Sequence, residues 1–335
     1  MNCLILFENI LSTRQGRQMK FLLIPSQNGF GHVTRLIQIG RELIQKKYQV
    51  TLILSKRQKN LLPKHFDTSE NFRIFDLPSF EIDGYENTKK LNRINKSQVK
   101  LVADADVVIA DNVLWPAKFN SNFYLHGHFL WSSVLNDLDP KVLAEEIKRL
   151  DNVKKWFQIK HFSLSSNYLE NLNKVIKVNV MRYQNDEKIR VLPIARKTIW
   201  LASGSIDAHK KLIRQIKNFD KNFEFKYIET HAMLNLGYRP EFVIGRPGLT
   251  TIRDCLSAGI QFIPLKINMD KELESNIEYL IKLGLVSRDA YEDFSLNFNL
   301  NHLTKFIIQS KFIEDLWCKI SEDAKVVTCT ILDNI

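Results

Sequence analysis

The chain has 335 residues, of which 44% are hydrophobic and 25% charged, and this length suits two globular domains with ordinary cores. Its four cysteines (Cys3, Cys255, Cys318 and Cys329) form no CxxC pair and no metal-binding spacing, which indicates a reduced, cytoplasmic setting. No apolar run reaches the length of a membrane span, and residues 1–11 lack the basic start of a signal peptide.

The net charge of +11 is concentrated in the N-terminal half. Residues 1–190 contain 29 Lys and Arg against 19 Asp and Glu, whereas residues 191–335 contain 19 against 18. A basic half predicts an anionic partner such as a membrane surface, a phosphorylated acceptor or nucleic acid, and a solvated basic face is the alternative. Because the lysines are dispersed and no nucleic-acid-binding motif accompanies them, we expect no nucleic acid partner.

The first clear elements form a βαβ unit. Apolar runs at 21–25 and 49–55 predict two strands, and apolar residues at helical spacing over 33–44 predict the helix between them. The stretch from Asn28 to Arg35 joins the first strand to this helix through a glycine loop, where backbone N–H groups can approach a ligand. We interpret residues 1–18, which precede the unit, as an N-terminal extension.

Near-continuous apolar runs follow, and these are typical of a parallel sheet covered on both faces. They predict strands at 72–77, 105–110 and 122–130. The pattern breaks around 184–190, which we interpret as an interdomain linker. We therefore predict two domains, over residues 19–187 and 188–335.

A second α/β pattern occupies the C-terminal domain, with strands predicted at 198–202, 223–228, 241–244 and 261–265. Ser203-Gly204-Ser205 forms a turn after the first of these strands, and Arg246 to Thr251 forms a glycine turn that opens a helix. A polar segment from Asp270 to Asn276 opens another helix, and helices are predicted for residues 299–335. Two turns of this kind in separate halves predict an α/β protein with two Rossmann-like domains facing a central cleft.

Taken in order, these motifs resemble those of the nucleotide-sugar glycosyltransferases of the GT-B fold. The shared features are the glycine-His loop at 28–32, the Ser203-Gly204-Ser205 turn, the G-R-P-G-L-T-T turn at 245–251 with Asp254, and the D-x-x-x-x-x-N stretch at 270–276. The strongest similarity is to the branch containing the bacterial enzyme that adds N-acetylglucosamine to the lipid-linked muropeptide. The segment G-F-G-H-V-T-R is also similar to the nucleotide-sugar hydrolases of pseudaminic acid synthesis, which share the fold and use water as the acceptor.

The resemblance implies an inverting, metal-independent glycosyltransferase that moves a hexosyl or N-acetylhexosaminyl group from a nucleoside-diphosphate-sugar to an acceptor hydroxyl. It implies an N-terminal acceptor-side domain, a C-terminal donor-binding domain, and no cofactor besides the donor substrate. The expected acceptor is a carbohydrate or a lipid-linked sugar of cell-envelope, surface polysaccharide or glycolipid synthesis. Cytoplasmic location is expected, and peripheral association with the inner face of an anionic membrane is left open. A nucleotide-sugar hydrolase and a non-catalytic binding module of the same fold are the alternatives.

His32 and Asp111 are the candidate catalytic residues. The resemblance implies that His32 takes a proton from the acceptor hydroxyl, and its alternative role is to cap the helix through an imidazole hydrogen bond. Asp111 lies at the carboxyl end of a predicted strand, where ligands bind in open parallel sheets. Arg35 and His128 are weaker acceptor-side candidates, since Arg35 can meet a phosphate or a carboxylate or form a surface salt bridge.

The donor is expected to bind chiefly at the C-terminal glycine turn. Backbone N–H groups at a helix N-terminus suit a diphosphate, and a plain helix cap by Thr250 or Thr251 is the alternative. The resemblance implies that Asp254 holds the ribose hydroxyls and that Glu272 and Asn276 contact the sugar. The candidate donor-binding residues are Gly29, Gly31, Ser203, Gly204, Ser205, Arg246, Gly248, Leu249, Thr250, Thr251, Asp254, Glu272 and Asn276.

We predict no metal site. Asp104-Ala105-Asp106 and Asp137-Leu138-Asp139 are similar to an Asp-x-Asp metal motif, but the first of them precedes a predicted strand instead of following one. His126 and His128 are expected to share one strand face, but no third metal ligand is visible beside them, and residues of an acceptor pocket are the alternative interpretation. His231 falls where the resembled family binds the nucleobase.

Overall fold

The computed structural model describes residues 18–27, 30–60, 62, 71–77, 96–134, 140–164, 173–183, 185–202, 224–227, 236–265, 271–297 and 310–335. Most of the predicted N-terminal extension, Asp137-Leu138-Asp139, the Ser203-Gly204-Ser205 turn, His231 and Gly29 lie outside these ranges.

The elements of the first half alternate between strand and helix as the sequence predicts. In chain order they are β1 (Lys20–Pro25), α1 (Gly31–Gln45), β2 (Gln49–Ser55), α2 (Lys56–Asn60), β3 (Phe72–Leu77), α3 (Lys96–Ala103), β4 (Val107–Asp111), a 3₁₀ turn (Trp115–Lys118), β5 (Phe123–Gly127), α4 (Trp131–Val134), α5 (Pro140–Asp151), β6 (Lys155–Ile159), β7 (Val175–Val178) and β8 (Val180–Arg182).

The second half continues the alternation and ends in helices. Its elements are α6 (Asp186–Arg190), β9 (Ile194–Ala202), β10 (Glu224–Tyr227), β11 (Arg239–Gly245), α7 (Leu249–Ser257), β12 (Gln261–Pro264), α8 (Lys271–Lys282), α9 (Arg288–Asn297), α10 (Ser310–Ile320), β13 (Ser321–Asp323) and α11 (Ala324–Leu332).

The strands form a seven-stranded sheet with the order β3-β2-β1-β4-β5-β6-β7 and a four-stranded sheet with the order β10-β9-β11-β12. A third, two-stranded sheet pairs β13 with β8. Neighbours run parallel from β3 to β5 and throughout the four-stranded sheet. Every residue of β4 and β5 is buried, as expected for central strands covered on both faces. The predicted α/β class with two parallel sheets is confirmed.

The chain divides into two compact units. The first contains Met1–His126, Pro140–Trp156 and Ile331–Ile335, and the second contains Gly127–Asp139 and Phe157–Thr330. Residues 127–139 and 157–187 thus group with the second unit, whereas the sequence assigns them to the N-terminal domain. The boundary at 187/188 stays a prediction.

Several element boundaries differ from the predicted ones. The strand predicted over 122–130 ends at Gly127, whose φ of 137° leaves the extended conformation that a strand requires. Part of the predicted linker is the helix α6, which begins at Asp186. The short strands β6 to β8 went unpredicted because polar residues interrupt their apolar runs. Among the described helices, none is both long and apolar enough to cross a membrane.

Candidate active site

Asp111 is the centre of the best-defined polar cluster of the first unit. It is the last residue of β4, aligned with Pro25 of β1 and His126 of β5, and it is fully buried. The cluster therefore lies at the carboxyl end of central parallel strands, the edge at which open α/β sheets bind ligands. A buried carboxylate in this position requires hydrogen-bond donors around it.

The N-terminal part of α1 supplies two of these donors. His32 and Arg35 are three residues apart and therefore lie on the same face of the helix. His32 Nδ1 lies 2.7 Å from Asp111 Oδ1, and Arg35 donates from Nη2 to Oδ1 and from Nε to Oδ2, both at 2.8 Å. The helix has no side-chain cap, so the imidazole of His32 bonds across to β4 instead of capping α1.

His126 completes the set. Its Nδ1 lies 2.9 Å from Asp111 Oδ2. The carboxylate thus has four nitrogen neighbours, two on each oxygen, which matches the roughly four acceptor positions of an ionised carboxylate. All four residues of the cluster are at least nine-tenths buried.

The tautomer of His32 follows from three short distances. Arg35 Nη2 lies 2.9 Å from His32 Nδ1, and both nitrogens lie within 2.8 Å of the same oxygen of Asp111. An unprotonated Nδ1 would place its lone pair against a carboxylate oxygen, which is repulsive, whereas Arg35 already has that oxygen as its acceptor. We therefore assign the proton of His32 to Nδ1, donating to Asp111, and the lone pair to Nε2.

The electrostatics keep Asp111 ionised. Burial alone would raise the pKa of its carboxyl, but the charge and hydrogen bonds of Arg35, together with His32 and His126, hold this pKa well below its usual range. Arg35 and Asp111 form a buried ion pair that the two histidines extend.

The structure thus brings together His32 and Asp111, which are 79 residues apart in the chain. It places Arg35 on a carboxylate, which is one of the predicted options, and its acceptor-side role stays a prediction. The sequence analysis did not predict the contact of His126 with Asp111. The parallel register, which aligns the end of β4 with β5, is the signal that could have revealed it.

In the second unit, the turn after β11 is fixed at its start by its neighbouring strands. Gly245 lies so close to Ala202 of β9 that a Cβ atom there would collide with the Ala202 carbonyl. Arg246 N donates to Ala202 O at 2.8 Å, and Leu265 N donates to Gly245 O at 2.8 Å. Gly248 is the N-cap of α7, so no side chain caps this helix. The first N–H groups of α7 therefore lack partners within the helix, as at any helix start.

Asn276 forms a hydrogen bond with this turn. It is completely buried, and its Nδ2 donates to the carbonyl oxygen of Pro247 at 2.9 Å. Its Oδ1 is buried and has no hydrogen-bond partner among the described residues. The side-chain amide of Asn276 thus packs against the glycine turn.

Asp254 belongs to a buried ionic cluster. Arg253 contacts one oxygen of Asp254 and also pairs with Asp186, and its guanidinium lies 3.4 Å from the centre of the Tyr183 ring. The second oxygen of Asp254 is buried and unpartnered within the described part of the chain. Two carboxylates surround one guanidinium, so a further donor at that oxygen would stabilise the cluster.

His128 and Glu272 also meet in the second unit. His128 Nε2 lies 3.3 Å from Glu272 Oε1, near the start of α8, and the Glu272 side chain is 20% exposed. His128, predicted on the acceptor side, thus contacts a residue predicted to bind the donor. Among the described residues, no group of three His, Cys, Asp or Glu side chains is arranged to hold a metal ion.

The fold matches that of solved glycosyltransferases. Os79 from O. sativa, in complex with U2F and trichothecene, aligns at 11% identity with a TM-score of 0.59, over 94% of this chain and 100% of its own. MurG from Acinetobacter baumannii aligns at 13% identity with a TM-score of 0.55, over 94% and 99% of the two chains. Spinosyn rhamnosyltransferase SpnG, complexed with thymidine diphosphate, aligns at 12% identity with a TM-score of 0.56, over 94% and 100%. No family model and no curated protein matches the sequence. The structural likeness shows the GT-B fold, as predicted.

Proposed function

We propose that this protein transfers a sugar, with inversion, from a nucleoside-diphosphate-sugar to an acceptor hydroxyl. The observation that carries the proposal is the buried pair of His32 and Asp111 at the carboxyl end of β4. A base held in one tautomer by a carboxylate is what activation of a hydroxyl requires. The shared fold of glycosyltransferases supports the same reaction class.

In this mechanism Nε2 of His32 takes the proton of the acceptor hydroxyl as its oxygen attacks the anomeric carbon. The new glycosidic bond forms as the bond from that carbon to the diphosphate breaks, and the electron pair leaves with the nucleoside diphosphate. The positive charge that develops on the imidazole is stabilised by Asp111 through Nδ1–H. The histidine later returns its proton to solvent.

We place the donor diphosphate at the start of α7. The N–H groups of Leu249, Thr250 and Thr251, the exposed side chain of Arg246 and the helix dipole would stabilise the leaving-group charge without a metal ion. The bond from Asn276 to Pro247 supports the turn that presents these groups. We assign Asp254 to a ribose hydroxyl, supported by its unpartnered oxygen, and Glu272 to a sugar hydroxyl, supported by its partial exposure.

A nucleotide donor is further supported by the thymidine diphosphate bound to SpnG, which has the same fold. We propose a hexosyl or N-acetylhexosaminyl donor and a carbohydrate or lipid-linked acceptor of envelope or surface glycan synthesis, used in the cytoplasm. The positive charge of residues 1–190 supports peripheral association with an anionic membrane.

Release of nucleoside diphosphate from a panel of nucleotide-sugars, measured with and without candidate acceptors, tests the reaction. A transferase releases nucleoside diphosphate in proportion to an acceptor-linked product. Stoichiometric free sugar without an acceptor would instead identify a hydrolase, for which the same His32–Asp111 pair would activate water. Absence of binding to any nucleoside diphosphate in calorimetry would refute both and favour a non-catalytic module.

A further inference from the structure

We propose that Arg253 is a positioning residue that holds the Asp254 carboxylate in the orientation in which its second oxygen accepts a ribose hydroxyl of the donor. The inference rests on the proposed role of Asp254 in donor binding. It assigns to Arg253 a function exerted through Asp254 and without contact to the substrate. The preference of this protein for a complete ribose then depends on Arg253.

The guanidinium of Arg253 is fixed by neighbours outside its own helix. It pairs with Asp186 at the start of α6 and donates from Nε to the carbonyl oxygen of Met181 in β8 at 3.4 Å. Its central carbon lies 3.4 Å from the centre of the Tyr183 ring and 5.8 Å from that of Trp317 in α10, both within the range of a cation–π contact. Only 5% of the side-chain surface is exposed, so these contacts determine where the guanidinium lies.

The fixed guanidinium in turn orients the carboxylate of Asp254. Consecutive residues of an α-helix point in directions about 100° apart, and their side chains do not face each other of their own accord. Arg253 Nη1 nevertheless donates to Asp254 Oδ1 at 2.5 Å. Since the guanidinium is held from outside α7, it is the carboxylate that takes its orientation from Arg253.

The second oxygen of Asp254 has the properties of an acceptor that a ligand completes. It is buried and has no hydrogen-bond partner among the described residues, whereas buried polar atoms normally have one. The side chain of Asp254 is 11% exposed, about twice as much as that of Arg253, so the carboxylate is the more accessible member of the pair. A hydroxyl group is the kind of donor that this oxygen lacks.

The position of Asp254 along α7 matches a ribose. Asp254 follows Thr250 by four residues and Thr251 by three, so the three side chains share one face of the helix. One helical turn rises about 5.4 Å, which is comparable with the separation of the phosphate and the ribose hydroxyls within a nucleotide. A diphosphate at the start of α7 therefore brings the ribose towards Asp254.

Calorimetric binding of a nucleoside diphosphate in its complete, 2′-deoxy and 3′-deoxy forms tests the proposal. UDP, ADP, GDP and CDP are first compared on the full-length wild-type protein, and the tightest binder is then used in all three forms. Loss of the hydroxyl that contacts Asp254 should weaken wild-type binding by about 10–100-fold, as expected for a hydrogen bond to a charged group. In R253M this ratio of dissociation constants should fall close to one.

A second variant and the use of a ratio separate positioning from stability. R253M/D186N also removes the carboxylate that R253M leaves without its cation, and its ratio should fall in the same way. Loss of folding in one variant therefore leaves the other as the test. A general loosening of the fold would weaken binding of all three forms alike and would leave the ratio unchanged.

Two controls locate the effect. Arg190 donates to the carbonyl oxygen of Ser257 at the other end of α7 at 3.2 Å, so R190M removes an arginine contact of the same helix and should keep the wild-type ratio. D254A should bring the ratio as close to one as R253M does, because Arg253 acts through Asp254.

The outcomes distinguish this inference from the proposed function. A wild-type ratio in folded R253M or R253M/D186N, or an equal loss in R190M, would overturn the inference and leave the proposed function intact. So would a ratio that survives D254A and is lost in R253M, since Arg253 would then contact the ribose itself. A wild-type protein without preference among the three forms would overturn the inference together with the assignment of Asp254. Absence of binding to any of the four nucleoside diphosphates would refute the proposed function itself.

Discussion

Replacement of Asp111 by asparagine tests the whole cluster at once. The new amide would present one oxygen and one NH₂ group to four nitrogen neighbours, so the arginine nitrogen that faces the NH₂ group would lose its acceptor, and the histidine there could bond only as the opposite tautomer. Arg35 would become a buried charge without a counterion, and breaking a buried pair in this way typically costs about 3–5 kcal/mol. We expect that loss in the free energy of unfolding and a fall in turnover of roughly 10²–10⁴-fold, because the tautomer of His32 is no longer fixed.

The two expectations are measured separately. Urea unfolding followed by circular dichroism gives the stability, and nucleoside diphosphate release under conditions where the variant stays folded gives the turnover. D106N is the matched control, since Asp106 precedes β4 and accepts one backbone hydrogen bond from Lys20 at 2.8 Å. We expect it to cost less than about 1 kcal/mol, the usual value of one such bond, because the asparagine oxygen can still accept it. A D111N protein as stable as D106N would refute the buried ion pair as a determinant of the fold.

Other perturbations have equally definite expectations. Because the folded pKa of Asp111 lies below its unfolded value of about 3.9, its carboxylate stabilises the protein above that pH, and this contribution is lost on acidification. Urea unfolding between pH 5 and 3 should therefore show a weaker pH dependence in D111N than in wild type. H32A should lower kcat by roughly 10²–10⁴-fold with little change in donor KM, and a kcat near wild type would contradict the assignment of the base. T250V combined with D254A should instead raise donor KM, because it removes a hydroxyl at the start of α7 and the carboxylate assigned to the ribose, and an unchanged KM would contradict these two contacts. N276A should also raise donor KM, since the Pro247 carbonyl loses its donor, without moving the pH profile of kcat. Sedimentation with anionic vesicles should show binding that weakens as salt rises, and salt-insensitive or absent binding would argue against a membrane-associated acceptor.

Much of the fold could be predicted because its central strands are continuous apolar runs. β1 and β2 begin and end within a residue of the prediction, since strands buried on both faces leave little ambiguity in the sequence. The edge strand β3, in which Phe75 is exposed, also has the predicted bounds. The predicted strand over 122–130 was too long because Phe129 and Leu130 continue the apolar pattern beyond Gly127. Hydrophobicity alone cannot show that a glycine there adopts a positive φ.

The candidate site could be predicted only where a residue type or a strand end marked it. His32 follows a glycine loop and Asp111 ends a strand, so both were identified, and the side-chain bonds between them remained hidden. The contact of His126 depends on which strands are neighbours, and the contact of Asn276 with the Pro247 carbonyl depends on the packing of a helix beneath a turn. The pairing of Asp254 with Arg253 was missed because a neighbour in sequence was not considered as its partner.

The four filled positions around Asp111 restrict how this site can change during evolution. Loss of Arg35 alone would remove two of the four hydrogen-bond donors of a carboxylate that is closed to solvent. Loss of Asp111 alone would leave the buried guanidinium of Arg35 without its carboxylate. Either single substitution produces a poorly stable protein. The two residues should therefore be replaced together, or a basic residue on another strand should take the place of the lost arginine. Among related chains, positions 35 and 111 are therefore expected to covary as a charge pair even where the surrounding apolar residues differ in sequence.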